Sequence, residues 1–76
     1  MEVKIYSIPT CPYCKMTKEY LRSKDISFVE YDVSQDQAAL EDMVKASGQT
    51  AVPVIVINQE VIVGFDRRRI DSLLVR

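Results

Sequence analysis

Residues 3–15 read VKIYSIPTCPYCK, and the passage from the first half of this stretch to the second decides the fold. Val3, Ile5, Tyr6 and Ile8, set among small or polar neighbours, have the composition of a β-strand over 3–8. Pro9 and Thr10 break that pattern. Pro12 then suits the first position of a helix, where its missing N–H costs nothing and its fixed φ is already helical. The two cysteines of the chain, Cys11 and Cys14, therefore fall at the turn from strand to helix. Three uses compete for such a pair: a structural disulfide, half of a metal site, or a dithiol that shuttles electrons.

Outward from this turn, Thr17, Tyr20, Leu21 and Lys24 recur at helical spacing, so the helix runs over 12–24 with one apolar face and a snorkelling lysine at its end. ISFVEYDV (26–33) reads as a second strand, with Phe28, Val29 and Tyr31 turned inward. Strand, helix and strand within about thirty residues make a βαβ unit with a parallel pair and a right-handed crossover. In SQDQAALEDMVKASG (34–48), Ser34 and Gln37 have capping-box spacing, Leu40, Met43 and Val44 form the buried stripe, and Gly48 is the stop. VPVIVI (52–57) and EVIVGF (60–65), separated by Asn58-Gln59, predict an antiparallel hairpin. A last helix is predicted from Asp66 to about Val75, capped by Asp66 and stapled by Phe65 and Ile70, with Leu73 and Leu74 on its buried face. The order β-α-β-α-β-β-α predicts an α/β fold, a four-stranded mixed sheet covered by three helices.

The bulk numbers narrow the function. The chain has 76 residues, 47% hydrophobic and 28% charged, with two glycines and three prolines, which suits one ordered domain over 1–76. A net charge of −1 removes the electrostatic footprint of a nucleic-acid binder. The apolar runs are too short for a bilayer, and MEVKIYSI shows no secretory h-region, so the expected compartment is the cytoplasm. Stable disulfides are rare there, and one closing so short a loop would stabilise little. Zinc wants four ligands, and the chain has no histidine and no third cysteine; a metal or cluster would need a second chain or an outside thiol.

At the start of a helix, free N–H groups and the positive dipole end favour an anion, which makes Cys11 the expected thiolate. Lys15 and Lys18 add positive charge, and Glu2 is the sole carboxylate before residue 18. Cys14, one turn further in, should be more buried. Such an asymmetric pair divides the work: Cys11 attacks a disulfide, and Cys14 resolves the mixed disulfide. Arg67, Arg68 and Arg69 oppose the dipole of the last helix. They read either as a solvated charged face or as a docking site for an acidic partner.

TCPYCK (10–15), AVP (51–53) and VGFD (63–66) together resemble the glutaredoxin family, within the thioredoxin fold, over essentially the whole chain. C-P-Y-C is the active-site tetrapeptide of many dithiol glutaredoxins, whereas thioredoxins usually carry W-C-G-P-C. The resemblance implies a thiol–disulfide oxidoreductase with Cys11 as nucleophile and Cys14 as resolving thiol, acting on protein disulfides or glutathionylated proteins. Lys15 would assist activation, and Tyr13 would border the glutathione groove. Pro53 would be a cis-proline facing the cysteines, preceded by Val52, whose backbone pairs with bound peptide. Gly64, Phe65 and Asp66 would complete the glutathione side, with the following helix N-terminus receiving a carboxylate. It further implies a monomer with no tightly bound cofactor, no metal, and glutathione as co-substrate. Two alternatives stand beside it: a redoxin fed by a flavin thioredoxin reductase, for example as donor to ribonucleotide reductase, and an iron–sulfur or metal carrier dimerising around Cys11. The chain departs from the glutathione-using pattern at Ala51 (commonly threonine), Val63 (commonly glycine) and Arg67 (commonly aspartate).

Overall fold

The computed structural model describes residues 2–74. Strand β1 (Val3–Ser7) lies inside the sheet. It pairs in parallel with β2 (Val29–Asp32) and antiparallel with β3 (Val54–Ile57), and β4 (Glu60–Val63) completes the order β2-β1-β3-β4. Helices α1 (Pro12–Ser23), α2 (Gln37–Ser47) and α3 (Arg67–Leu74) follow β1, β2 and β4, giving the predicted β-α-β-α-β-β-α. The last residue of the predicted final helix, Val75, lies outside the described residues.

Alternation along the strands divides the core. Val3, Ile5, Ile55, Ile57 and Ile62 point to one face, where Leu21 of α1 and Ile70 of α3 cover them. Tyr6 and Val54 point to the other, against Val33 and the α2 residues Ala39 and Met43. Each fully buried aliphatic side chain contributes about 1.5–3 kcal/mol, which is how so small a chain supports two packed faces. The Asn58-Gln59 turn carries φ of 49° and 78°, the left-handed pair that a two-residue hairpin needs. Gly48 ends α2 with φ 75° and returns its N–H to the Val44 carbonyl.

Four local expectations are corrected. Ser34 does not cap α2: Asp36 does, its carboxylate accepting the Ala39 N–H at 3.1 Å. Ser34 is held instead in a turn, its N–H donating to Asp32 Oδ1 at 3.0 Å, because the aspartate two residues back competes for it. Val29 is exposed, since Phe28 faces α1 and its neighbour must point away. Val44 is also exposed; the smaller Ala39, one turn before Met43, takes the buried position instead. All four strands are shorter than predicted, because apolar composition runs beyond the paired residues at one end or both.

Candidate active site

Three chain segments converge at one end of the sheet, where β1 and β4 finish and β3 begins. The loop leaving β1 carries Cys11; Pro53 precedes β3, whose Val54 is registered with Tyr6; and Gly64 follows Val63, the partner of Val54. The Val52–Pro53 peptide bond is cis, and the Pro53 carbonyl accepts the Gly64 N–H at 2.8 Å, tying the second and third segments together. Gly64 has φ 86°, which disfavours any side chain, and the space beside its Cα is open.

Cys11 is the N-cap of α1. Its backbone is extended, with φ −95° and ψ 111°, and its Sγ accepts the Cys14 N–H at 3.1 Å, in the place of the usual capping oxygen. Lys15 N–H reaches the Cys11 carbonyl at 3.2 Å, opening the helix. Cys11 is half-buried, whereas Cys14, one turn behind, is only 1% exposed. Burial, reinforced by its hydrogen bond with Cys11, pushes the Cys14 thiol up to about 12. The two sulfurs are therefore unlike: an accessible one on a helix N-terminus and a sequestered, protonated one beneath it.

Around the thiols, Tyr13 is 61% exposed and Met16 46% exposed. Lys15 is exposed and Val52 half-buried. The structure corrects the role expected of Lys18. Its Nζ lies 2.6 Å from Glu30 Oε2 on β2, so it is not a free cation for Cys11. Buried Ser7 donates its hydroxyl to the same Glu30 oxygen at 3.0 Å, and the Lys18 hydrogen bond holds the Glu30 carboxyl below the usual carboxylate range. Sequence inspection missed Ser7 and Glu30. The signal was there: Phe28 faces α1, and strand periodicity puts Glu30 on the same side.

On the other flank, Phe65 meets Tyr20 edge-on at 5.8 Å, and the Arg67 guanidinium sits over the Tyr20 ring at 5.2 Å. The Tyr20 hydroxyl donates to Asp71. Met16, Glu19, Tyr20, Phe65 and Arg67 line an open groove of about 340 Å³. Asp66 caps α3, its Oδ1 accepting the Arg69 N–H at 3.1 Å, and Arg69 reaches Glu60 at 3.5 Å. Among the described residues, no cluster of three or more histidine, cysteine or carboxylate side chains could hold a metal ion, and no helix is long and apolar enough to cross a membrane.

The family model described as Glutaredoxin matches residues 3–62. The chain belongs to the glutaredoxin family. It is 53% identical over 72 residues to an uncharacterized glutaredoxin-like 8.6 kDa protein in the rubredoxin operon of Clostridium pasteurianum, spanning 95% of this chain and 96% of that one. It is 45% identical over 64 residues to glutaredoxin 3 of Escherichia coli K12, spanning 84% and 77%. Among solved structures it resembles a glutaredoxin from Archaeoglobus fulgidus, with TM-score 0.90, 26% identity and coverage of 99% and 87%. It also resembles the glutaredoxin-like protein NrdH-redoxin from Escherichia coli, whose structure is described as the basis of a thioredoxin-like activity profile, with TM-score 0.88, 25% identity and coverage of 100% and 99%. The thioredoxin-like fold expected of this family is the one observed, and family membership implies thiol–disulfide oxidoreductase chemistry.

Proposed function

We propose that this glutaredoxin-family chain reduces disulfides of cytoplasmic proteins, as a monomer, through a dithiol cycle on Cys11 and Cys14. One observation carries the reading: Cys11 Sγ accepts an amide hydrogen at a helix N-terminus while Cys14 is buried directly behind it. Cys11 thiolate attacks one sulfur of the substrate, the substrate S–S bond breaks, and the first thiolate leaves to take a proton from water. Cys14 then loses its proton and attacks Cys11 Sγ. The Cys11–Cys14 bond forms, the second substrate thiol is released, and two electrons have passed from the protein to the substrate. A donor dithiol, or two molecules of glutathione, reverses the oxidation of the protein.

In this reading Tyr13, Val52 and Pro53 border the bound substrate, Lys15 raises the local positive potential, and Gly64, Phe65 and Asp66 form the far wall. Glutathione serves as co-substrate, with no tightly bound cofactor. A second reading of the donor, a flavin thioredoxin reductase, is favoured by Arg67. Its guanidinium is engaged with Tyr20 where glutathione-using relatives carry an aspartate, and Ala51 and Val63 depart on the same side. Parallel assays decide between the donors: NADPH with glutathione reductase and glutathione, against NADPH with thioredoxin reductase. Turnover in the first couple supports glutathione, turnover confined to the second supports the reductase, and turnover in neither overturns both. An iron–sulfur carrier would instead give visible absorbance and a dimer after anaerobic reconstitution.

A further inference from the structure

The dithiol cycle needs two thiolates in succession, and the second, Cys14, is the difficult one. It is 1% exposed, and its proton must leave before it can attack Cys11. Lys18 lies four residues further along α1, so it shares the helix face of Cys14. Its ammonium is not left to swing in solvent. It is held at 2.6 Å by Glu30 Oε2 from β2, and that same oxygen is pinned at 3.0 Å by the hydroxyl of Ser7, itself 1% exposed on β1. Three elements thus fix one cation and one anion on the side of the helix where Cys14 is buried.

We propose that Lys18 and Glu30 are positioning residues for the resolving step, with the balance of their opposite charges governing how readily Cys14 releases its proton. Lys18 favours the Cys14 thiolate and Glu30 opposes it. Also acting here are Cys11, which hydrogen-bonds the Cys14 thiol, the Ile8 main chain just after β1, and Arg22, one turn beyond Lys18, whose charge acts on Glu30. Cys14 is the group that burial pushes up, and Lys18 acts on it in the opposite direction. Lys18 therefore partly offsets the desolvation of the resolving thiol, and its partner Glu30 limits that offset.

This inference rests on the dithiol cycle, and one experiment separates the two. Reduced protein is mixed with dithionitrobenzoate. Cys11 thiolate displaces one coloured aryl thiolate and forms a Cys11–aryl mixed disulfide. Cys14, its proton lost to solvent, then attacks Cys11 Sγ and displaces the second, so the two steps are two phases of one absorbance trace. At effective dielectric values between about 20 and water's roughly 80, a unit charge about 6 Å away shifts the second phase's pH midpoint by about half to two pH units, or roughly three- to a hundredfold in rate. K18Q should slow the second phase and raise its midpoint. E30Q, which keeps a carbonyl acceptor for Lys18 but removes the negative charge, should speed it and lower its midpoint. In both variants the first phase should change less than the second. A shared structural role would move both variants in the same direction, so opposite signs support the proposal, and same-sign or absent shifts overturn it. If wild-type protein shows no second phase at all, the dithiol cycle itself falls. Thermal melts of both variants identify any loss of fold, and a variant that melts early is replaced by K18M or E30M, for which the same signs are required.

Discussion

Two strand-to-helix junctions at the same end of the sheet have nearly the same construction. At the start of α1, Cys11 Sγ accepts the N–H of the residue three positions on, at 3.1 Å. At the start of α3, Asp66 Oδ1 accepts the N–H three positions on, also at 3.1 Å. The geometry is that of an ordinary N-cap, in which a side chain satisfies one of the free amides of the first turn. What differs is the atom. A carboxylate at α3 complements the dipole, offsets the three arginines that follow it, and stays. A sulfur at α1 can leave its amide and form a bond. The same positive helix end that merely stabilises one junction prepares the other for nucleophilic attack.

The largest effect should come from exchanging the atom at the first junction. Serine caps helices well, so Cys11→Ser keeps the cap and removes the nucleophile. Reduction of a protein disulfide should fall to the uncatalysed background while the melting temperature stays within about 2 °C, a change well below 1 kcal/mol for a domain of this size. Activity assays and melts of the same preparation check both halves. Full activity in this variant would end the comparison, because the cap atom would then have no chemical role.

A second effect concerns the sulfur behind the cap. Cys14 holds its proton up to about 12 in the folded protein, against an ordinary thiol value of 9.0. Above pH 9 the unfolded chain releases that proton while the native state keeps it. Its contribution to stability is therefore fully present below about pH 9 and is lost as pH rises toward 12. The upper bound is about 4 kcal/mol across that window. Denaturant melts of the reduced protein and of reduced Cys14→Ser, run at intervals through the window, isolate this contribution because tyrosines and lysines are common to both. The wild type should lose more stability than the variant. Parallel losses would mean that Cys14 is not sequestered as the structure shows.

The difference between the junctions also explains what the sequence disclosed. The first was legible because proline at the first helical position and two closely spaced thiols are local signals, read along one stretch of chain. The cap at Asp66 and the hairpin at Asn58-Gln59 were legible for the same reason. Contacts between elements were not. Lys18 read as a free cation because its partner, Glu30, is twelve residues away on β2. Arg67 is exposed, as a solvated charged face would be, but its seat over the Tyr20 ring could not be read because that ring belongs to α1. Ser34 failed as a cap for a subtler reason: two aspartates flank it, and hydrogen bonding in the turn gave the cap to Asp36 and Ser34 to Asp32. The groups missed at the site are those that act across the fold.

The smallest effect tests the second junction as a purely structural cap. Asp66→Ala removes the acceptor of the Arg69 N–H and the carboxylate that offsets the three arginines at the positive end of the dipole, with Glu60 still paired to Arg69. Loss of such a cap costs about 1 kcal/mol, within a range of roughly 0.5–2, which lowers the melting temperature of a small domain by about 4–8 °C. Asp66→Asn restores an acceptor without restoring the charge, so it should recover most of the cap's contribution and leave only the dipole part, a few tenths of a kcal/mol, missing. The pair separates two uses of the same carboxylate. Stability lost in the alanine variant and regained in the asparagine variant belongs to the cap. Glutathione-linked turnover that neither variant regains belongs to the negative charge, and would show Asp66 serving a ligand as well as its own helix. An alanine variant that melts with the wild type would break the parallel at its base, since the 3.1 Å bond at α3 would then hold nothing that the bond at α1 could be compared with.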